Sequence, residues 1–124
     1  MTVGDLNEEL VQATAEKLNS EFRRGALVLA VLSRLQQEHY GYSLRQALAE
    51  AGLAVEEGTL YPLIRRLEKQ GLLLSEWREE AGRRKRFYRL APLGEAVLVE
   101  LRQSWNSLNA SVSALVGDTP KEAK

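Results

Sequence analysis

The hydrophobic period of this chain changes twice, and those two changes bound what it can fold into. Up to Gly71 the apolar residues recur at helical spacing. Residues 72–77 and 85–90 then read as two strands, with the turn-like Ala81-Gly82-Arg83 between them. After Pro92, which suits the first turn of a helix, the helical period returns. The order is four helices, two strands, one helix. It predicts a mainly α fold with one small β-hairpin.

The helical part divides as follows. Leu6, Leu10, Ala13 and Leu18 predict a first helix over 5–19, with Asp5 as its cap. Phe22, Ala26, Leu29, Val31, Leu32 and Leu35 predict a second over 22–37, apolar all round at its centre and therefore buried, and broken by Gly41. Leu44, Ala47, Leu48 and Ala51 predict a short third helix with Ser43 near its cap and Gly52 at its end. Leu60, Leu63, Ile64 and Leu67 predict a fourth over 57–70, closed by Gly71. Pro62 has no N–H and its ring presses on the carbonyl of Gly58, so that helix starts near Pro62 or tolerates a distortion there.

Composition removes whole classes of function. At 124 residues with 44% hydrophobic and 27% charged, the chain suits one domain with a core that needs no staples. It has no cysteine, which excludes disulfides and thiolate chemistry and fits a reducing cytoplasm. A single histidine, His39, leaves no ligand set for zinc, and no nucleophile elbow or phosphate loop is present. His39 reads as a loop or helix-end residue. The chain is expected to be no enzyme and to hold no cofactor or metal. Its longest apolar run, residues 26–32, is too short to span a bilayer. Asp5, Glu8 and Glu9 without an early basic residue argue against a signal peptide.

The formal net charge is zero, but the charge is not evenly spread. Residues 61–90 hold nine basic side chains and only four acidic ones. A basic third on a neutral chain is the footprint of a local polyanion contact. Two short helices joined by a tight turn and followed by a basic hairpin form the layout of a winged helix-turn-helix. In that module the helix after the turn enters the DNA major groove, and the hairpin lies along the neighbouring backbone or minor groove. Within 57–70 the apolar residues cluster inside about 100° of the helix circumference. Gly58, Pro62, Arg65 and Lys69 project opposite them, flanked by Thr59, Tyr61 and Arg66. Thr59, Tyr61 and Lys69 are therefore suited to phosphates, Arg66 is placed with the same DNA set, and Arg65 is expected to read a base through a bidentate fork. Arg83, Arg84, Lys85 and Arg86 in the hairpin are assigned to phosphates. Tyr40, Tyr42 and Tyr61 are core residues or phosphate contacts; Tyr42 is placed with the DNA set. Trp77 reads as a packing residue.

The last helix is the most regular segment. Leu98, Leu101, Trp105, Leu108, Val112 and Leu115 follow a 3-4-3-4-3 spacing, an a/d seam expected to pair with a second copy of the chain. Trp105 lies on that seam, where it meets its own copy. A closed pair would be core; a splayed pair would be a slot for a planar ligand.

Several of these segments together resemble the PadR family of bacterial transcriptional regulators. They are Tyr40-Gly41-Tyr42, Gly58-Thr59-Leu60-Tyr61-Pro62, Arg66-Leu67-Glu68-Lys69-Gln70-Gly71, Trp77, Gly82-Arg83-Arg84-Lys85 and Tyr88-Arg89-Leu90. The likeness runs from about Phe22 to Val116. It implies a dimeric winged-helix repressor whose C-terminal helix makes the dimer. The short chain and the Ser104-Trp105 pair look like the compact branch that includes the LmrR-type regulators of multidrug exporters. In that branch the equivalent tryptophans sandwich flat aromatic drugs in a central pore. The likeness therefore implies a ligand site at Trp105 and Asn109 with Leu101, Phe22 and Ala26. Asn109 is neutral where the LmrR-type position is acidic, so a preference for cationic drugs does not carry over. Ala91 stands where the family usually has Thr, which forgoes a cap of about 1 kcal/mol. Ser43 stands where an acid often follows Tyr-Gly-Tyr.

The expected organisation is a helix over 1–20, a winged helix-turn-helix over 21–91, a dimerisation helix over 92–116 and a flexible tail over 117–124. The expected partners are a pseudo-palindromic double-stranded DNA operator, a second copy of the chain and a planar aromatic or drug-like molecule, with no membrane. The expected location is the cytoplasm, at the nucleoid. Two other readings compete: a winged helix that docks proteins without touching DNA, and a PadR-like repressor with no small-molecule ligand. The basic Arg83 to Arg86 tip argues against the first, since a protein-docking module has no need of it.

Overall fold

The computed structural model describes residues 7–117. The elements in chain order are α1 (Glu8–Arg34), β1 (His39–Tyr40), α2 (Gly41–Glu50), α3 (Glu57–Lys69), β2 (Leu73–Glu80), β3 (Arg83–Leu90) and α4 (Pro92–Val116). The mainly α class with a small hairpin is what forms, and β1 adds a third strand that sequence periodicity missed. Two residues are too few to show a period.

The first two expected helices are one. α1 runs unbroken through Asn19 and Ser20, which look like a junction in the sequence. The Ser20 hydroxyl donates to the Glu16 carbonyl 3.1 Å away, so it is used inside the helix rather than ending it. The N-cap is Asn7, whose side chain accepts from the amides of Glu9 and Leu10. Asp5 and Leu6, expected in the cap and first turn, lie outside the described residues. So does the tail beyond Gly117.

The chain then turns through β1, which pairs antiparallel with β3 through His39↔Tyr88 and Tyr40↔Phe87. Ser43 lies near the cap of α2 as expected, at the third position, where its side chain caps the Tyr40 amide. Its Oγ accepts from the Tyr40 amide at 3.1 Å and lies 2.9 Å from His39 Nδ1. Partial burial, reinforced by Arg34, holds the His39 pKa below its ordinary value.

α3 begins at Glu57, and Thr59 and Leu60 already donate to the Glu56 carbonyl. Pro62 therefore sits inside the helix, one turn in, and the helix absorbs it. β2 and β3 pair from Leu73↔Leu90 to Glu80↔Arg83, a longer hairpin than expected, closed by a two-residue turn. Ala81 and Gly82 in that turn have φ of 52° and 76°. Positive φ at both centres is the type I′ pattern, whose twist matches the strands. The sheet order is β1-β3-β2.

One core joins these elements. Val31, Leu32 and Leu35 from α1, Leu44 and Leu48 from α2, and Leu60, Ile64 and Leu67 from α3 are almost fully buried. Leu73, Leu90 and Leu98 close it from the sheet and α4. Gly94 allows α4 to dock: a Cβ there would stand 2.1 Å from the Leu72 carbonyl oxygen. The core takes only part of the two long helices. Residues 7–25 of α1 and 102–116 of α4 are exposed along their whole length.

Candidate nucleic-acid interface

α3 is a ridge with one buried face. Leu60, Leu63, Ile64 and Leu67 face the core, while Gly58, Pro62, Arg65 and Lys69 stand exposed along the opposite edge. Thr59 and Arg66 are exposed on the flank toward α1. Tyr61 is half-buried on the flank toward the hairpin, its ring so close to α2 that a Cβ on Gly41 would lie 2.9 Å from its Cε1. Gly41 is thus a packing requirement of Tyr61; it opens α2 and does not break the preceding helix, which ends at Arg34.

The hairpin lies beside this ridge, and a cleft of about 440 Å³ separates them. Tyr40, Tyr42, Tyr61 and Trp77 line it together with Arg65 and Arg84. Lys85 and Arg86 also reach it. Such a concave, aromatic and basic surface suits a sugar–phosphate chain.

The four consecutive basic residues do not behave alike. Arg83 and Arg84 are exposed at the tip, and the Arg84 guanidinium lies 4.8 Å from the Trp77 ring centroid. Lys85 is half-buried, its ammonium 4.3 Å from the Tyr40 ring centroid and 3.8 Å from Glu80. Arg86 is engaged within the protein: its Nη2 donates to both Glu68 oxygens at 3.0 and 3.2 Å, and its Nε to Ser75 Oγ at 3.0 Å. Glu68 sits on α3, so this contact fixes the hairpin to the ridge. Arg86, assigned to phosphate from the sequence, thus also positions the hairpin. Distance from the turn sets this exposure, while strand alternation sets the ring each cation meets: Arg84 and Arg86 share the Trp77 face of β3, and Lys85 lies on the Tyr40 face.

A second tie holds the opposite face of the hairpin. Arg78 forms a fork with both carboxylate oxygens of Glu38 and lies 4.5 Å from the Phe87 ring centroid. Those hydrogen bonds hold the Glu38 carboxyl below, and the Arg78 guanidinium above, their ordinary ranges. Trp77 is not the packing residue expected. It is 52% exposed and stands between the guanidinium groups of Arg84 and Arg86. The cross-strand pairing Trp77↔Arg86 is the signal that places it there, and it needs the register to be known. Tyr42 is 53% exposed and stacks on Tyr40 at a centroid distance of 6.5 Å.

The seam of α4 is divided by the fold. Leu98 lies in the domain core and Leu101 packs against that core, so Leu98 is corrected from a dimer contact to an intramolecular one. Trp105, Leu108, Val112 and Leu115 stay exposed, and α1 adds exposed Val11, Leu18 and Phe22 at helical spacing. Asn109 is exposed and Ala26 half-buried. The cleft beside α3 does not include Trp105, Asn109, Leu101, Phe22 or Ala26. Among the described residues no cluster of His, Cys, Asp or Glu could hold a metal ion, and no helix is long and apolar enough to cross a membrane.

Comparison with known proteins agrees with this geometry. The family described as transcriptional regulator PadR-like matches residues 28–100. The transcriptional regulator Rv3488 of Mycobacterium tuberculosis is 43% identical over 93 residues, 74% of this chain and 87% of the relative. A PadR family transcriptional regulator from Eggerthella lenta superposes with a TM-score of 0.81 at 40% identity, covering 90% of this chain and 99% of that one. A PadR-like regulator from Bacillus cereus does so with a TM-score of 0.72 at 29% identity, covering 80% of this chain and 99% of that one.

Proposed function

The chain belongs to the PadR-like family of transcriptional regulators, and from that premise we propose that it acts as a homodimeric repressor released by a planar hydrophobic ligand. It is a DNA-binding regulator built on a winged helix and not an enzyme. The observation that carries the reading of its DNA contact is the exposed Arg65 and Lys69 edge of α3 beside a basic, aromatic cleft. Arg65 reads a base, while Thr59, Arg66, Lys69, Arg83, Arg84 and Lys85 meet phosphates. Tyr42 and Tyr61 take the cleft side of the same backbone.

The dimer reading is supported by the apolar side chains that the fold leaves uncovered on α4 and on the first half of α1. Pairing these surfaces would set two α3 ridges against successive major grooves, roughly 34 Å apart. A flat ligand between paired Trp105 rings, bordered by Leu101, Asn109, Phe22 and Ala26, would alter the splay of the long helices. Repression is relieved if that ligand prefers the splay that cannot bind DNA.

Fluorescence anisotropy on DNA from upstream of the protein's own gene, against a scrambled duplex at two salt concentrations, tests this. Nanomolar binding that survives physiological salt and favours the native fragment is expected, with planar dyes then releasing it. Equal, weak and salt-erased binding to both duplexes would count against sequence-specific regulation at that site.

A further inference from the structure

The α3 ridge has a cleft on each side. The wing cleft has been described above; the other, of about 950 Å³, lies between α1, the α2–α3 connection and α3. Its polar lining comprises Arg23, Arg24 and Arg66 with Asn19, Ser20 and Thr59, over an apolar floor that includes Leu27 and Leu63. Glu16 and Glu56 also border it.

A helix with its side chains is about 10–12 Å across, and the major groove is about 12 Å wide. A ridge of that size in the groove has a sugar–phosphate strand on each flank. The wing can meet only one of them. We propose that the second strand runs in the α1 cleft, held by Arg23 and Arg24 together with Arg66, so that α1 is part of the DNA interface. This rests on the reading that α3 enters the major groove.

Three observations favour this occupant. First, cations outnumber carboxylates in the cleft, and its threonine and asparagine side chains are donors of the kind that phosphates accept. Second, Arg23 is already positioned: its Nη2 donates to the Ala54 carbonyl at 3.3 Å, which draws the guanidinium to the α2–α3 connection beside α3. Third, the cleft faces away from the apolar stripe that the proposed dimer would cover. At 100° per residue, the cleft side of α1 (Asn19, Ser20, Arg23, Leu27) is centred roughly 135° from the apolar stripe of Val11, Leu18 and Phe22. The two carboxylates make this flank weaker than the wing cleft, which no carboxylate lines. The α1 clamp therefore adds to affinity without dominating it.

The test is the dependence of DNA affinity on salt. Arg24 is exposed and forms no ion pair among the described residues, so Arg24→Ala removes a charge without disturbing the fold. Each lost phosphate contact should flatten the slope of log affinity against log salt by about 0.9. Arg24→Ala is expected to do this and to weaken operator and random duplexes alike, by roughly three- to tenfold. Arg23→Ala should act in the same direction. Arg84→Ala on the wing serves as the positive control, and Arg102→Ala on α4, bordering neither cleft, should leave the slope unchanged. An unchanged slope in both α1 variants, beside a flattened slope in Arg84→Ala, would overturn the α1 clamp alone. A wild-type protein without salt-dependent DNA binding would overturn the functional reading as well.

Discussion

Arg65 and Arg86 carry the same guanidinium and border the same cleft, yet their surroundings give them different work. Arg65 stands exposed with no ion pair among the described residues, whereas Arg86 is held by Glu68 and Ser75. Only a free guanidinium can form the two-pronged contact with guanine that carries sequence information. Arg65→Ala is expected to lower the preference for operator over random DNA by about 1–3 kcal/mol while changing random-duplex affinity little. A uniform loss across sequences in paired anisotropy titrations would make Arg65 a phosphate clamp. Residue scale also governs the hairpin turn. Ala81 holds a left-handed φ of 52°, which costs a residue with a Cβ roughly 1–2 kcal/mol. Asn bonds locally in that conformation and precedes Gly in the favoured I′ turn. Ala81→Asn should therefore raise stability by about 0.5–1 kcal/mol in urea unfolding, with an unchanged m-value.

At the scale of elements, the question is what sets the wing against α3. Glu68 with Arg86 does so directly, while Glu38 with Arg78 ties the opposite face of the hairpin to the connection between α1 and β1. Both pairs are partly solvent-exposed, and pairs of that kind contribute little to stability. Their consequence is orientation rather than stability. Glu68→Gln keeps the shape of the side chain but removes the charge that restrains Arg86. The thermal midpoint is expected to move little. The released Arg86 gains a phosphate contact, so random-duplex affinity rises and the salt slope steepens by about 0.9. If Glu68→Gln instead flattened the slope, the pair would be holding Arg86 toward the DNA rather than away from it.

At the scale of the whole molecule, the proposed assembly rests on the exposed apolar side chains of α1 and α4. Trp105, Leu108, Val112 and Leu115 lie on one side of α4 with nothing from their own domain over them. Leu108→Glu places a charge on that surface and should shift sedimentation from dimer to monomer, with loss of operator affinity because each half-site then binds alone. Trp105→Ala removes only the flat ring. It is expected to abolish binding of planar dyes and to leave operator affinity within about tenfold, a change under 1.4 kcal/mol. Dye titrations that match the wild type in Trp105→Ala would sink the ligand slot, and a dimeric Leu108→Glu would move the assembly surface elsewhere.

Much of this molecule is local and therefore readable along the chain. The buried face of α3, its exposed Gly58, Pro62, Arg65 and Lys69 edge, and the basic hairpin all follow from period and charge, because neighbours in sequence set them. What was missed depends on contacts between distant residues. No local breaker divides α1, so its polar middle misled, and its burial changes only where α2 and α4 meet it. Two-residue β1 exists because β3 offers it a partner. Leu98 and Val112 occupy equivalent seam positions, but only docking of α4 at Gly94 buries one and leaves the other bare. Arg86 reads as one more cation until the hairpin register and α3 bring Glu68 to it across 18 residues. The sequence by itself determined which segments form helices and strands and which faces are apolar or basic, since these rest on interactions a few residues apart. Tertiary structure alone decided which apolar faces are spent in the core and which cations are neutralised, since both depend on what another element brings within contact distance.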